Sequence, residues 1–322
     1  MTAHHKANPV KDSSSNRLLA MLITAMGPNV GGLLNDDTVV ELMLNQDGKL
    51  WSDRLGVGRQ DTGHTLTPQD AERIIRLVAT GTGAECNEST PLLSAELPGT
   101  GSRFQGVLPP VVSAPVFTIR KKALLIFSLD DYVTQGIMTG RQKAAILEAV
   151  HGKQNILVTG GTGSGKTTLV NAVLNEIAAT RDRVVIIEDT LELQCTAPDT
   201  VFLRAKEGVA SMNDLLRATM RLRPDRIVVG EVRGPEALSL LKAWNTGHPG
   251  GCATVHANSA RAGLTRLEQL IQEAVITVPK ELIAEAVDIV IHIERVGHGR
   301  KIREITRVDG VEREKYIMSE ID

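Results

Sequence analysis

Eight consecutive residues limit what this chain can fold into more than any others: Gly160, Gly161, Thr162, Gly163, Ser164, Gly165, Lys166 and Thr167, directly after the apolar run Ile156-Leu157-Val158-Thr159. The four glycines can take positive φ, so successive backbone N–H groups can curl inward around an anion. Leu169, Val170, Val173, Leu174 and Ile177 then recur at helical spacing. A helix over 167–179 would aim the positive end of its dipole at the same place. Strand, glycine loop, Lys-Thr and helix, in that order, make the phosphate loop of nucleoside triphosphatases. In that pattern Lys166 reaches the β- and γ-phosphates and the Thr167 hydroxyl faces Mg²⁺, with Thr168 beside it. The expected cofactors are ATP and Mg²⁺. The bland alternative, a glycine-rich turn with an unrelated lysine, does not account for the flanking strand and helix.

The 322 residues suffice for two domains. Residues 1–16 are polar and Ser-rich and read as a disordered tail. Residues 17–26 are a short helix candidate, core-facing or lying on a membrane surface. Alternation over 39–45 ending at Asp47-Gly48 signals a hairpin. Thr67-Pro68-Gln69-Asp70 is a helix start. Runs over 92–97, 103–108 and 116–121 read as strands. An N-terminal α+β domain over 17–128 with a small, mostly antiparallel sheet is therefore expected, then a linker over 129–140. From 141 to 322 strands and helices alternate, which implies a parallel sheet wrapped by helices. Its apolar strands 156–158, 184–187 and 227–229 are continuous, as in strands buried on both faces. A terminal hairpin is expected over 301–318 around Asp309-Gly310. The fold class is α/β.

Ligands in such folds sit at the carboxyl ends of the strands, and three further blocks end strands. Ile227-Val228-Val229-Gly230-Glu231 presents a carboxylate at the right place to polarise or deprotonate a water and to face Mg²⁺. A strand-end acid can also simply cap the next helix. Glu188 and Asp189 end the second strand, where they could hold Mg²⁺ or orient the nucleophile, or serve the local turn. His256, in Thr254-Val255-His256-Ala257-Asn258, could sense a γ-phosphate by hydrogen bond or be structural. Arg103 and Arg120 lie in the first part. They are either solvated strand residues or cations delivered to the γ-phosphate.

Bulk properties exclude several classes. Net charge is −2 and aromatic residues are 2% of the chain. No basic field or stacking platform calls for nucleic acid, so no direct nucleic-acid contact is expected. The three cysteines, Cys86, Cys195 and Cys252, lack metal spacing and read as reduced thiols. No run approaches the ~18 unbroken apolar residues of a membrane span.

Taken together, the blocks Gly-Gly-Thr-Gly-Ser-Gly-Lys-Thr, Ile-Glu-Asp-Thr-Leu-Glu, Leu-Arg-Pro-Asp-Arg-Ile-Val-Val-Gly-Glu-Val-Arg and Ala-Thr-Val-His-Ala-Asn resemble the Walker A, Asp box, Walker B and His box of the secretion (traffic) ATPases. That family drives type II and type IV secretion and type IV pili. The stretch Lys242-Ala-Trp-Asn-Thr-Gly-His-Pro-Gly-Gly looks closest to its conjugal-transfer branch. The resemblance implies a RecA-like ATPase domain over 141–322, a homo-hexameric ring, and a cytoplasmic location peripheral to the inner membrane. It also implies inner-membrane partners of a secretion or conjugation apparatus. It carries over a catalytic set of Lys166, Glu231, His256, Glu188, Arg103, Arg120 and, ahead of Walker B, Arg223. Thr167, Glu188 and Glu231 would attend the magnesium. Gly234 stands after Arg233 where many members have Asp, which leaves the role of Arg233 open. Rival functions for the same core are a RecA-type nucleic-acid motor, a type IV pilus or type II secretion ATPase, a small-molecule kinase, or an ATP-binding scaffold.

Overall fold

The computed structural model describes residues 9–122, 127–206, 208–297 and 299–321, with side chains from 16 onward. The chain divides into two compact units, Met1–Leu124 and Leu125–Asp322.

The first unit contains helix α1 (Pro9–Asn35), strands β1 (Val39–Leu44), β2 (Lys49–Arg54) and β3 (Gly58–Thr65), helix α2 (Pro68–Thr82), then β4 (Leu92–Glu96), β5 (Arg103–Val107) and β6 (Val116–Arg120). Its six strands lie in the order β3-β2-β1-β6-β5-β4 and every neighbour is antiparallel. Gly48, at φ 76°, makes the β1–β2 turn. Thr67 caps α2 and Gly83 ends it in the left-handed conformation. Strand β3 was not expected. Its sequence, GRQDTGHT, has no apolar alternation, because it is a largely exposed edge strand.

Helix α1 corrects two expectations. Of the supposed disordered tail 1–16, residues 1–8 lie outside the described residues, and from Pro9 the backbone is helical. The segment Asn16–Asn35 is also long and apolar enough, by length and composition, to cross a membrane. From Leu18 onward its interruptions (among them Thr24, Gly27, Pro28 and Asn29) are uncharged, so hydropathy stays high without an unbroken apolar run. Gly27, at φ 64° and ψ −177°, breaks the helix ahead of Pro28. Leu22, Met26 and Val30 are buried in the core of the first unit.

The second unit carries α3 (Leu129–Thr134), α4 (Gly140–His151), β7 (Ile156–Thr159), α5 (Lys166–Ala178), β8 (Val184–Glu188), β9 (Thr200–Arg204), α6 (Met212–Thr219), β10 (Arg226–Val229), α7 (Glu236–Asn245), β11 (Cys252–Val255), α8 (Ala260–Gln272), α9 (Lys280–Ala286), β12 (Ile289–Val296), β13 (Gly299–Glu312) and β14 (Lys315–Glu320). Its eight strands run β14-β13-β12-β7-β11-β10-β8-β9. From β12 to β9 all pairings are parallel; β12-β13-β14 is an antiparallel meander. Strands β7, β8, β10 and β11 are buried along their whole length, between two apolar layers.

Residues 129–140, expected as a linker, hold α3 and the start of α4. Ser128 with Asp131 and Thr139 with Gln142 form capping boxes, and Leu129 and Tyr132 are buried in this unit's core. The segment is too short and too polar for its pattern to stand out. The turn of the last hairpin is also not at Asp309-Gly310. Gly310 sits in a bulge, and the chain reverses at Arg313 and Glu314, both at positive φ.

A charged residue opens the most buried strand. Arg226 is 1% exposed, and donates from Nε to Asp182 Oδ2 (2.7 Å), from Nη1 to Gly250 O (3.1 Å) and from Nη2 to Val150 O (2.9 Å). It ties β10, the start of β8, the end of α4 and the loop before β11 together. Burial alone raises the Asp182 carboxyl, but hydrogen bonds from Lys153, Arg226 and Thr180 outweigh it and hold the pKa at about 2. A carboxylate depressed in the fold contributes stability above its unfolded pKa and loses it as pH falls through the folded value. This contribution is therefore full above about pH 4 and fades toward pH 2. Asp182→Ala leaves a buried guanidinium uncompensated and is expected to cost ~3–5 kcal/mol, or roughly 10 °C of melting temperature for a unit of this size. A paired Asp182→Leu, Arg226→Met change should recover much of that loss in a thermal melt.

Cys252 is fully enclosed and its thiol is pushed up to about 12 by burial; Cys86 is also buried and raised. Cys195 is half-buried. A thiol reagent at neutral pH should label Cys195 first, which peptide mapping of the native protein would show.

Candidate nucleotide site

Four carboxyl-end segments of the parallel strands meet beside the glycine loop. The loop leaves β7 and enters α5 through Gly165, which at φ 98° is the N-cap. Helices α2, α3, α4, α6 and α8 are each capped by a Ser or Thr side chain; α5, like α7 and α9, has no side-chain cap. Its first-turn N–H groups are thus left for an anion. A Cβ on Gly160 would lie 2.3 Å from Ile293 O and 2.4 Å from Ser164 Oγ, so only glycine fits there. The Ser164 hydroxyl is buried and meets no hydrogen-bond partner. An uncapped helix end, a glycine cradle and an unsatisfied buried hydroxyl are what a polyphosphate would complete.

Lys166 is 8% exposed. Its Nζ donates to Gly160 O (2.9 Å) and Gly161 O (3.0 Å), and lies 3.3 Å from His256 Nδ1. His256, 44% exposed at the end of β11, presents Nε2 2.5 Å from Glu231 Oε1, at ion-pair distance but off the line of a hydrogen bond. Glu231 Oε2 accepts from Arg233 Nη2 at 2.5 Å, and Arg233 Nη1 donates to Asp189 Oδ2 at 2.5 Å. A chain of polar contacts thus runs Lys166, His256, Glu231, Arg233, Asp189 across the ends of β7, β11, β10 and β8. Burial works against the Arg233 charge, but the Glu231 hydrogen bond and the charges of Glu231, Asp189 and Glu192 hold its pKa above the ordinary value.

The positions of these side chains follow from local sequence. Thr254 Oγ1 donates to Gly230 O and Val232 N to Thr254 O, which stitches the end of β10 to β11 and places Glu231 beside His256. Glu236 Oε1 accepts from Arg233 N and Gly234 N, closing the turn into α7. Gly230 is needed where it stands, since a Cβ there would meet Glu188 Cγ at 2.9 Å.

The second strand end divides its acids by task. Glu188 is 2% exposed, and its Oε1 accepts from Glu192 N (2.9 Å) and Leu193 N (3.0 Å), so it shapes the loop after β8. The Thr167 hydroxyl contacts Glu192 Oε2 at 3.3 Å. Glu192 closes the Ile-Glu-Asp-Thr-Leu-Glu block, where no local signal distinguishes it. Its place beside Thr167 comes from the Glu188 hydrogen bonds that fold the loop. Arg233, open from sequence, is the hub of the chain. Thr168 follows in the first turn of α5.

The remaining expected cations are Arg103, Arg120 and Arg223. Arg103 on β5 and Arg120 on β6 are cross-strand partners in the first unit, and Arg120 also stands opposite Glu41. Arg223, at φ 55° and exposed, precedes β10 and so lies at the opposite end of that strand from Glu231.

Residues 98–313 match the family model described as Type II/IV secretion system protein. The chain is 50% identical over 305 residues to the Conjugal transfer protein TrbB of Rhizobium radiobacter, covering 94% of each. It is 28% identical over 337 residues to the Type IV secretion system protein VirB11 of Bartonella quintana (strain Toulouse), covering 90% of this chain and 94% of that one. Among solved structures, the Pilus Retraction Motor PilT with bound ADP superposes with a TM-score of 0.59 at 22% identity, over 83% of this chain and 78% of that one, a likeness of fold.

Proposed function

Because the chain belongs to the type II/IV secretion system protein family, we propose that it is the ATP-hydrolysing motor of a conjugative type IV secretion system. The second unit is its RecA-like ATPase domain. The observation that carries the proposal is the contact chain from Lys166 through His256 to Glu231 at the mouth of an uncapped glycine loop. ATP would seat its phosphates on residues 160–168, and Mg²⁺, which supplies charge neutralisation to the phosphates, would be attended by Thr167, Glu188 and Glu231, with Glu192 close by.

The roles of the chain's own groups follow from their positions. Lys166 balances phosphate charge. The Glu231 carboxylate takes a proton from the attacking water. His256, between Lys166 and Glu231, couples occupancy of the loop to the orientation of that carboxylate. Arg233 holds the carboxylate from its other oxygen and must yield as Glu231 takes up a water proton. Arg103, Arg120 and Arg223 are the proposed cations supplied from outside the loop, Arg223 in a neighbouring copy.

The proposal further places six copies in a ring, in the cytoplasm and peripheral to the inner membrane, working with membrane components of the conjugation apparatus. Its direct test is phosphate release from ATP by the purified chain, present with Mg²⁺ and lost on chelation. DNA-stimulated turnover with a steep salt dependence would instead favour a nucleic-acid motor. Native mass measurement should find an assembly of six 34.7 kDa chains when nucleotide is present. A strict monomer under all conditions would sink the ring.

A further inference from the structure

Arg300, the second residue of β13, lies against the glycine loop. A Cβ built on Gly165 would be 2.7 Å from Arg300 Cδ and 2.9 Å from its Nε, so the side chain packs directly over the residue that opens α5. Its Nε is buried and meets no acceptor. Among the described residues its guanidinium forms no ion pair. Across the hairpin it stands opposite Arg295, a like-charge pairing that is unfavourable unless something negative compensates it. The nearby Tyr132 phenol, raised by burial, feels the Arg300 charge in the opposite sense. An arginine half-buried, unpaired, facing another arginine and laid across an anion-binding loop is costly for the fold by itself.

We infer that Arg300 is a further nucleotide-binding residue: it contacts the phosphate chain seated on the glycine loop, so that the β12–β13 hairpin clasps the bound nucleotide. The inference rests on the reading of residues 160–167 as a phosphate loop, and it assigns a role to the C-terminal meander that the parallel sheet alone does not give it. A planar guanidinium with several donors suits phosphate oxygens better than an ammonium does. The contact concerns phosphates common to ATP and ADP, so it governs retention of nucleotide and not the hydrolytic step.

The test is equilibrium binding of ADP and of inorganic pyrophosphate to the full chain, with Mg²⁺. Arg300→Gln should weaken both about 10–100-fold, the range for loss of a hydrogen bond to a charged group. Arg300→Met keeps the aliphatic stem over Gly165 and is measured beside it, as the variant that folds if glutamine does not. Arg300→Lys should fall between. Unchanged affinity in a folded Gln or Met variant overturns the inference, as does weakened ADP binding with pyrophosphate unaffected. If the unaltered chain binds neither ADP nor pyrophosphate, the phosphate-loop reading itself fails, which is a distinct result.

Discussion

Lys166→Ala abolishes ATP turnover while leaving the fold intact: that is the expected result, and it is the largest effect any single change in the loop should have. The ammonium is buried at the loop's centre and holds Gly160 O and Gly161 O from the inside. Removing it takes away a fixed positive charge in a low-dielectric pocket. There a preorganised donor is worth about 10²–10³ in rate. Two further losses add to this. The loop carbonyls lose their common donor, and His256 loses the cation on its Nδ1 side. Phosphate release should fall by at least that range, to the limit of detection of a phosphate assay, and ATP affinity should fall with it. The apolar strands and α5 do not depend on the side chain, so the melting temperature should stay within a few degrees. Measurable turnover within tenfold of the unaltered chain would remove Lys166 from the catalytic set.

Glu231→Gln separates chemistry from binding. The substitution keeps the shape of the side chain at the end of β10 and removes only its basicity and charge. A general base is typically worth ~10²–10⁴-fold, so kcat should fall by that range while ATP binding persists or tightens. A tightening has a specific source. Glu231 carries negative charge next to where a γ-phosphate would come; Arg233 compensates it, and the His256 ring lies against its other oxygen. With a neutral amide in its place, the Arg233 guanidinium and the His256 ring become available to phosphate. Full activity in this variant would refute the assignment of Glu231, whatever the family likeness. Arg233→Ala is the natural companion. If Arg233 positions Glu231, its loss should lower kcat with little change in KM, and Arg233→Lys should restore only part, since one ammonium cannot bridge both Glu231 and Asp189 as the forked guanidinium does.

How much of this was legible beforehand depends on whether a feature is carried by neighbours in sequence. The glycine loop, the helix after it and the apolar strands ending in Glu188, Glu231 and His256 are local. Period, capping residues and turn glycines are enough to read them, and the parallel sheet follows from their alternation. The edge strand β3 shows no apolar alternation because it is largely exposed, and β9 carries only three apolar residues, too few to show a period. The 129–140 segment was misjudged because its helix is held by two buried side chains and a capping box, too few residues to show a period.

What the sequence by itself determined, then, is a glycine-rich loop between strand and helix, with an acid and an imidazole at further strand ends. Only the tertiary structure decided which groups touch. It put Arg233 between Glu231 and Asp189, set Glu192 beside Thr167 while Glu188 turned to the backbone, sank Arg226 onto Asp182, and laid Arg300 across Gly165. The reason is physical. A carboxylate or guanidinium chooses its partner by desolvation and distance in three dimensions, and residues more than a hundred positions apart in the chain enter that choice on equal terms with its neighbours.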